Sequence, residues 1–405
     1  MAIGTAFSGA ASYVLLVMTA RALGPARYGD FSYFWAVIVV VSLGLFLPIE
    51  QVVARRLSRL DAPGVGGRPI LNRGVRTALV VAVVSSAVVS VFWVSQRGWS
   101  SSELLLLGAL GLGVIGFVIQ FPGRGALAAS SNFRGYAAVV SVDAGLRLVI
   151  VMLLWGAGVR SAAPFAAAVG LSALTCGVLA RVLGSRSLGR APVVEDPVGL
   201  GREAGRLISA AVSMQLLLNS GVLIAVSVST ASESAFAGHL VAVLTIARVP
   251  VFVFQSVQAS YLSKIALRSH RRDIAGLRRV LLALATAVGG ITVLTIVGAA
   301  AVGPQVIRLI YGPSYEFSRV GVVLVALGVC VYLAAAVAND VAVAIGAHSH
   351  VRGAWFAGVA AAAVVVASVD DLLLRSTLPL VVGAAVAGAV LASPVIRSVR
   401  WKVEP

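Results

Sequence analysis

Apolar runs of about twenty residues recur twelve times along the chain, at 2–20, 31–54, 77–95, 103–121, 136–155, 164–183, 207–230, 236–260, 280–302, 320–338, 353–369 and 377–396, with polar segments between them. A helix needs roughly 20 apolar residues to cross a bilayer, at about 1.5 Å rise each, so each run predicts one membrane helix. The longest polar segment, 184–206, divides the runs six and six. The pattern predicts an all-α polytopic membrane protein of about twelve transmembrane helices in two six-helix bundles, residues 1–183 and 207–405, joined by a basic linker at 184–206. Leu57-Ser58-Arg59 closes the second run and Leu262-Ser263-Lys264 the eighth, and a basic loop follows each. A repeat of six spans relates its halves by an axis along the membrane normal and places a central cavity between them.

The first two runs carry the most distinctive local pattern. Gly24-Pro25 is expected to end the first helix, since proline cannot continue the hydrogen-bond ladder and disfavours a helical predecessor. Tyr28-Gly29-Asp30 then reads as the turn, with Asp30 an N-cap for a helix opening at Phe31. This hairpin, Ala20-Arg21-Ala22-Leu23-Gly24-Pro25 followed by Tyr28-Gly29 and Phe31-Ser32, resembles the opening signature of bacterial polysaccharide (O-antigen-type) flippases. Those belong to the multidrug/oligosaccharidyl-lipid/polysaccharide exporter superfamily. The resemblance implies alternating access and a polyprenyl-pyrophosphate-linked oligosaccharide as substrate. It also implies that spans one, two, seven and eight line the cavity.

Composition sharpens the class. With 59% hydrophobic and 12% charged residues, there is no room for a large water-soluble domain beside the apolar runs. The net charge of +17 sits mostly in alternate loops, so it reads as membrane orientation and not as a nucleic-acid surface. Of the 32 Lys and Arg residues, 23 fall on one side, including Arg124 and Arg134 after the fourth span, and seven on the other, with Arg147 and Arg248 inside spans. That bias predicts both termini in the cytoplasm of a bacterial inner membrane. The first run has no basic stretch before it and exceeds a leader's apolar core, so it reads as a span. Cys176 and Cys330 stand singly in apolar runs and read as packing residues.

Arg248, in the eighth run, is the sharpest chemical feature, because an Arg inside a span costs roughly 2.5–3.5 kcal/mol on insertion scales. Pro250 is expected to kink that helix, and Gln255 and Gln258 continue a polar stripe from Arg248. Gln215 and Asn219 are i,i+4 neighbours in the preceding span. Arg248, Gln255, Gln215 and Asn219, with Arg21 of the hairpin, form the candidate substrate-binding set. The alternative for Arg248 is satisfaction by neighbouring carbonyls in helix packing. Glu50, Asp143 and Asp340 are the ion-coupling candidates. Asp143 reads first as a structural ion pair with Arg147 and second as a substrate site, Glu50 as a snorkelling interface residue or a gate, and Asn339-Asp340 as a cap ending the tenth span. His239 reads as a helix–helix hydrogen-bond partner or a proton relay. His348-Ser349-His350 lacks a third ligand nearby.

No Walker loop, zincin motif or nucleophile–base arrangement occurs in the sequence. The chain is therefore expected to be a transporter and not an enzyme, without metal or cofactor, its partners being a lipid-linked glycan, membrane lipids and glycan-assembly proteins, but no nucleic acid. A multidrug/ion antiporter of the same superfamily is the nearest alternative. A glycan polymerase or ligase is expected to show a longer outer loop than 303–319.

Overall fold

The structure, a computed structural model, describes residues 2–60, 67–188, 199–228, 233–271 and 273–400. Regular structure among these residues is all helical: α1 (Ala2–Val39), a π-helical segment (Val40–Phe46), α2 (Leu47–Leu57), α3 (Arg68–Arg97), α4 (Ser101–Ala129), α5 (Phe133–Gly156), α6 (Ala162–Arg186), α7 (Leu200–Val228), α8 (Ser234–Ala247), α9 (Val249–His270), α10 (Ile274–Tyr311), α11 (Arg319–Ala344), α12 (His348–Ser368) and α13 (Leu372–Arg400). Among the described residues, eleven stretches are long and apolar enough to cross a membrane. The first, Phe7–Leu57, holds 51 residues; at 1.5 Å per residue that is about 77 Å, more than twice a hydrocarbon core of about 30 Å.

That stretch is two passes. Gly24 breaks α1 with φ 71° and ψ 168°, a conformation open to glycine at little cost. Pro25 opens the next helix, where its fixed φ fits and its missing N–H is no loss. A Cβ on Gly4 would lie 3.2 Å from Ala137 in α5, and Glu50 is hydrogen-bonded to the adjacent Tyr136, so the chain returns to the end from which it started. At the far end, Arg160 donates to the Ala22 carbonyl at 2.7 Å and Arg27 donates to the Arg160 carbonyl at 3.0 Å. Arg160 thereby caps a carbonyl that the break leaves without a helical partner.

The expected turn at 28–30 is corrected. One left-handed glycine makes the whole turn, so Tyr28, Gly29 and Asp30 are already helical. Asp30 caps nothing in that geometry; its carboxylate pairs with Arg97 at 2.5 Å. Arg97 also grips Glu103 at 2.7 Å and lies over the Tyr33 ring, and Glu103 accepts the indole N–H of fully buried Trp93 at 2.8 Å. This clasp joins the second half of α1 to the α3–α4 turn.

The expected loop at 122–125 is likewise helix, and Arg124 belongs to α4. The reason is a seam of small residues. Ala109, Gly116 and Gly123 of α4 face Gly170, Gly177 and Gly184 of α6 at intervals of seven. A Cβ on Gly116 would meet the Ala173 backbone at 2.4 Å, and one on Gly177 the Gly116 carbonyl at 2.6 Å. Small residues let membrane helices approach backbone to backbone, where van der Waals packing drives association. The seam extends past Pro122 and keeps α4 helical beyond it.

By its contacts the chain forms two compact units, Met1–Gln215 and Leu216–Pro405. In the second, α12 and α13 approach through Gly358 and Gly383, whose added Cβ atoms would meet each other's carbonyls at 2.5 and 2.8 Å. The helix expected at 280–302 continues through Pro304 to Tyr311, so the loop after it is shorter than 303–319; Gly312, at φ 110°, ends it. The tenth span runs through Asn339-Asp340 to Ala344, so Asp340 is not a cap.

Replacing Gly116 with Leu should lower the unfolding temperature of the detergent-solubilised protein markedly, since overpacking a tight seam costs about 1–3 kcal/mol or more. Gly111, where an added Cβ meets nothing within 4 Å, supplies the control: Gly111→Ala should melt like the wild type. Equal melting of Gly116→Leu would remove the seam as a determinant of the fold.

Candidate functional site

Among the described residues, polar groups gather at one centre in the first unit and at two in the second. In the first, α2 brings Glu50 against α4 and α5. Gly125 permits this approach, because a Cβ there would sit 2.6 Å from the Glu50 carbonyl oxygen. The Glu50 carboxylate pairs with Arg124 Nε at 3.1 Å and accepts the Tyr136 hydroxyl at 2.9 Å. Arg124 donates in turn to the Tyr136 oxygen at 2.7 Å and lies over the Phe121 and Tyr136 rings. Leu127, Val139, Cys176 and Ala180 pack around Tyr136. The phenol thus hydrogen-bonds both members of the ion pair, and Glu50 is 6% exposed. The interface reading of Glu50 is therefore corrected to a buried ion pair.

The sequence reading missed Arg124 and Tyr136 because Pro122 looked like a helix end. The available signal was the small-residue spacing that carries α4 past it. Asp143 pairs with Arg147 at 3.0 Å, one turn apart on α5, with both side chains under a fifth exposed. Arg21 stands exposed on the first half of α1, near the Gly24 break.

In the second unit, Arg248 lies at the joint of α8 and α9. Its backbone is near helical, at φ −79° and ψ −9°. Pro250 stands in the first turn of α9 and cannot donate an N–H back across the joint. The guanidinium turns toward α7, donating to the Leu218 carbonyl and, at 3.3 Å, to Asn219 Oδ1. Asn219 is 1% exposed. The structure thus joins Arg248 to Asn219, and Gln215 lies one turn before Asn219 on α7. The side chain of Gln255 lies outside the described residues.

Gln258 serves a different centre. It donates to Asp340 Oδ2 at 2.7 Å, the Tyr261 hydroxyl donates to the same oxygen at 2.6 Å, and Asn339 reaches Oδ1 at 3.5 Å. Trp355 of α12 donates to Asn339 Oδ1 at 3.0 Å and so orients that amide. Tyr332 of α11 is buried, and its ring centroid lies 5.8 Å from that of Trp355. Tyr261, Tyr332 and Trp355 went unread because aromatics in an apolar run look like packing. His239 contacts the Ser314 carbonyl at 3.1 Å and the Tyr315 ring edge-on, which holds the 312–318 loop against α8. The side chains of His348 and Ser349 lie outside the described residues. Cys176 and Cys330 are free and buried.

The arrangement offers a hydrogen-bond-oriented cation at a helix joint, an acid held by neutral donors, and a separate self-neutralised triad. No protein-family model matches the chain. An uncharacterized protein of Mycobacterium tuberculosis is 27% identical over 324 residues, 77% of this chain and 71% of the relative. A second uncharacterized protein of that organism is 24% identical over 313 residues, 76% of this chain and 70% of the relative.

Among solved structures, the inward-facing conformation of a multidrug resistance MATE family transporter of the MOP superfamily superposes with a TM-score of 0.70 at 15% identity, over 95% of this chain and 94% of that one. The outward-facing conformation of such a transporter gives 0.63 at 15% identity, over 99% and 95%. A MOP superfamily transporter from Pyrococcus furiosus, whose reverse polarity of binding pocket suggests a different function, gives 0.64 at 15%, over 98% and 94%. The chain has the fold of these transporters.

The Glu50–Arg124–Tyr136 triad should prove structural. Removing one partner of a buried ion pair costs about 3–5 kcal/mol, so Arg124→Gln should melt well below the wild type. Glu50→Gln combined with Arg124→Gln should recover part of the loss. A single variant that melts normally would show that the pair contributes nothing to the fold.

Proposed function

We propose that this protein is a transporter that flips a polyprenyl-pyrophosphate-linked oligosaccharide across the cytoplasmic membrane by alternating access. The observation that carries the reading is Arg248, a guanidinium at a helix joint within a span, oriented by a main-chain carbonyl and the Asn219 amide. Arg presents a planar, bidentate donor face that suits phosphate. Asn219 and Gln215 add amide groups suited to sugar hydroxyls. The MATE fold supports alternating access, since its members are seen in both inward- and outward-facing conformations. The Pyrococcus furiosus transporter shows that pocket polarity varies on this fold, which is what a change from cationic to anionic substrates requires. The hairpin around Gly24-Pro25 supplies the resemblance to polysaccharide flippases.

Asp340 favours a second reading, a cation-coupled multidrug exporter, because its carboxylate is held by Gln258, Tyr261 and Asn339, none of them a cation.

Complementation of a flippase-deficient strain separates the two. Arg248→Ala should abolish glycan export while membrane abundance stays normal, and Arg248→Lys should retain part of it, because charge survives but the bidentate geometry does not. Full export by Arg248→Ala would sink the flippase site; drug resistance conferred by a chain that exports no glycan would install the antiporter.

The charge bias of the loops supports cytoplasmic termini in this reading. In a cysteine-free background, Cys substituted at exposed Ser58 should resist an impermeant outside reagent, and Cys at exposed Ser102 should react. The reverse pattern would invert the topology.

A further inference from the structure

Helices α3 and α6 both flank α4, and hydrogen bonds join them at the end that carries the basic loops. Arg181, in the last turns of α6, donates to Asn72 Oδ1 on α3 at 2.6 Å. Arg68, the first residue of α3, donates to the Ser185 and Leu188 carbonyls at 3.1 and 3.4 Å, which caps the end of α6. Two guanidiniums from different helices therefore reach across the same end of this helix pair, Arg181 to the residue one turn after Arg68 and Arg68 to the residue one turn after Arg181. Among the described residues neither meets a carboxylate, and every partner is a neutral oxygen. A guanidinium carries five N–H donors. Arg68 spends two and Arg181 one on these oxygens, so several remain while the acceptors fix both planes. Exposed Arg76 and Arg186 stand one turn or so further along the same two helices.

Each helix continues from this basic end into apolar surface. On α3, Asn72, Arg76, Leu79 and Val83 follow at i, i+4, i+7 and i+11, one face of a helix, with Leu79 54% and Val83 64% exposed. On α6, Val178 and Leu171 lie three and ten residues before Arg181, 54% and 48% exposed. Eleven residues from Asn72 to Val83 rise about 17 Å, close to one leaflet of a hydrocarbon core of about 30 Å.

We infer that Arg68 and Arg181, with Asn72 between them, bind the headgroup phosphate of an anionic phospholipid whose acyl chains lie along the Leu79–Val83 face of α3 and the Val178–Leu171 face of α6. The two guanidiniums answer the negative charge, and basic pockets between membrane helices recognise lipid headgroups by this chemistry. The apolar faces decide between a lipid and free phosphate, since a soluble anion has no use for them. The site is independent of Arg248 and of the transported substrate.

Native mass spectrometry of the delipidated full chain tests it, with phosphatidylglycerol, phosphatidylcholine, polyprenyl phosphate and inorganic phosphate as probes. The wild type should retain phosphatidylglycerol over phosphatidylcholine, and Arg181→Gln should weaken that retention about fivefold to tenfold. Arg319→Gln, at an exposed position on α11, should bind as the wild type does. Arg68→Gln removes the cap on α6 and risks unfolding, so Arg181→Gln, with its melting temperature checked without lipid, is the decisive variant. Unchanged retention by folded Arg181→Gln, or equal retention of phosphatidylcholine, would overturn the site. Displacement of the lipid by inorganic phosphate, or preference for polyprenyl phosphate, would overturn its assignment to a membrane phospholipid.

Discussion

A polar group in hydrocarbon has no water to fall back on, so it must find its partner inside the protein or sit at an edge. Most of what is particular about this structure follows from that demand. The break at Gly24 frees the Ala22 carbonyl, and Arg160 reaches across from the α5–α6 turn to take it. The end of α6 is met by Arg68, and Trp93 gives its indole N–H to a Glu103 already gripped by Arg97. Arginine does much of this work because its charge is permanent and its five donors reach several oxygens at once.

The two units meet the same demand differently. In the first, Glu50 has Arg124 against it and Tyr136 bridging both, so acid and base cancel within one cluster. In the second, the acid and the base have separate neighbours. Asp340 is held by an amide, a phenol and the Asn339 side chain, and Arg248 by a carbonyl and Asn219. A pair that cancels itself has little left for a ligand. A carboxylate such as Asp340, held by neutral donors, keeps more of its field, at a higher desolvation cost. The proposed reading gives the second unit the substrate and coupling chemistry.

Packing without a hydrophobic driving force explains the glycines. Helices in lipid gain by approaching closely, and the seven-residue spacing of Gly116 and Gly123 against Gly170, Gly177 and Gly184 brings α4 and α6 backbone to backbone. The same contact fixes Arg124 opposite Glu50, since both depend on α4 remaining helical beyond Pro122. The spacing was present in the sequence, but a glycine in an apolar run has the same letter whether it stands open, as Gly111 does, or meets a neighbouring helix.

By itself the sequence determined the class, the all-helical architecture and the twelve passes, because bilayer thickness sets a minimum apolar length that no arrangement of neighbours can alter. It also singled out Arg248, Asn219 and Asp340, since a polar side chain in a long apolar run is conspicuous wherever it points. It misjudged the ends of elements: the turn at 28–30, the loop at 122–125 and the cap at 339–340 are all helix. Proline and Asx signals state a local preference, whereas the end of a helix is decided by what its next turn packs against. Which charge meets which was decided only by tertiary structure. Glu50 and Arg124, 74 positions apart in the chain, and Gln258 and Asp340 become partners only when helices far apart in sequence are set side by side, a geometry that no local pattern encodes.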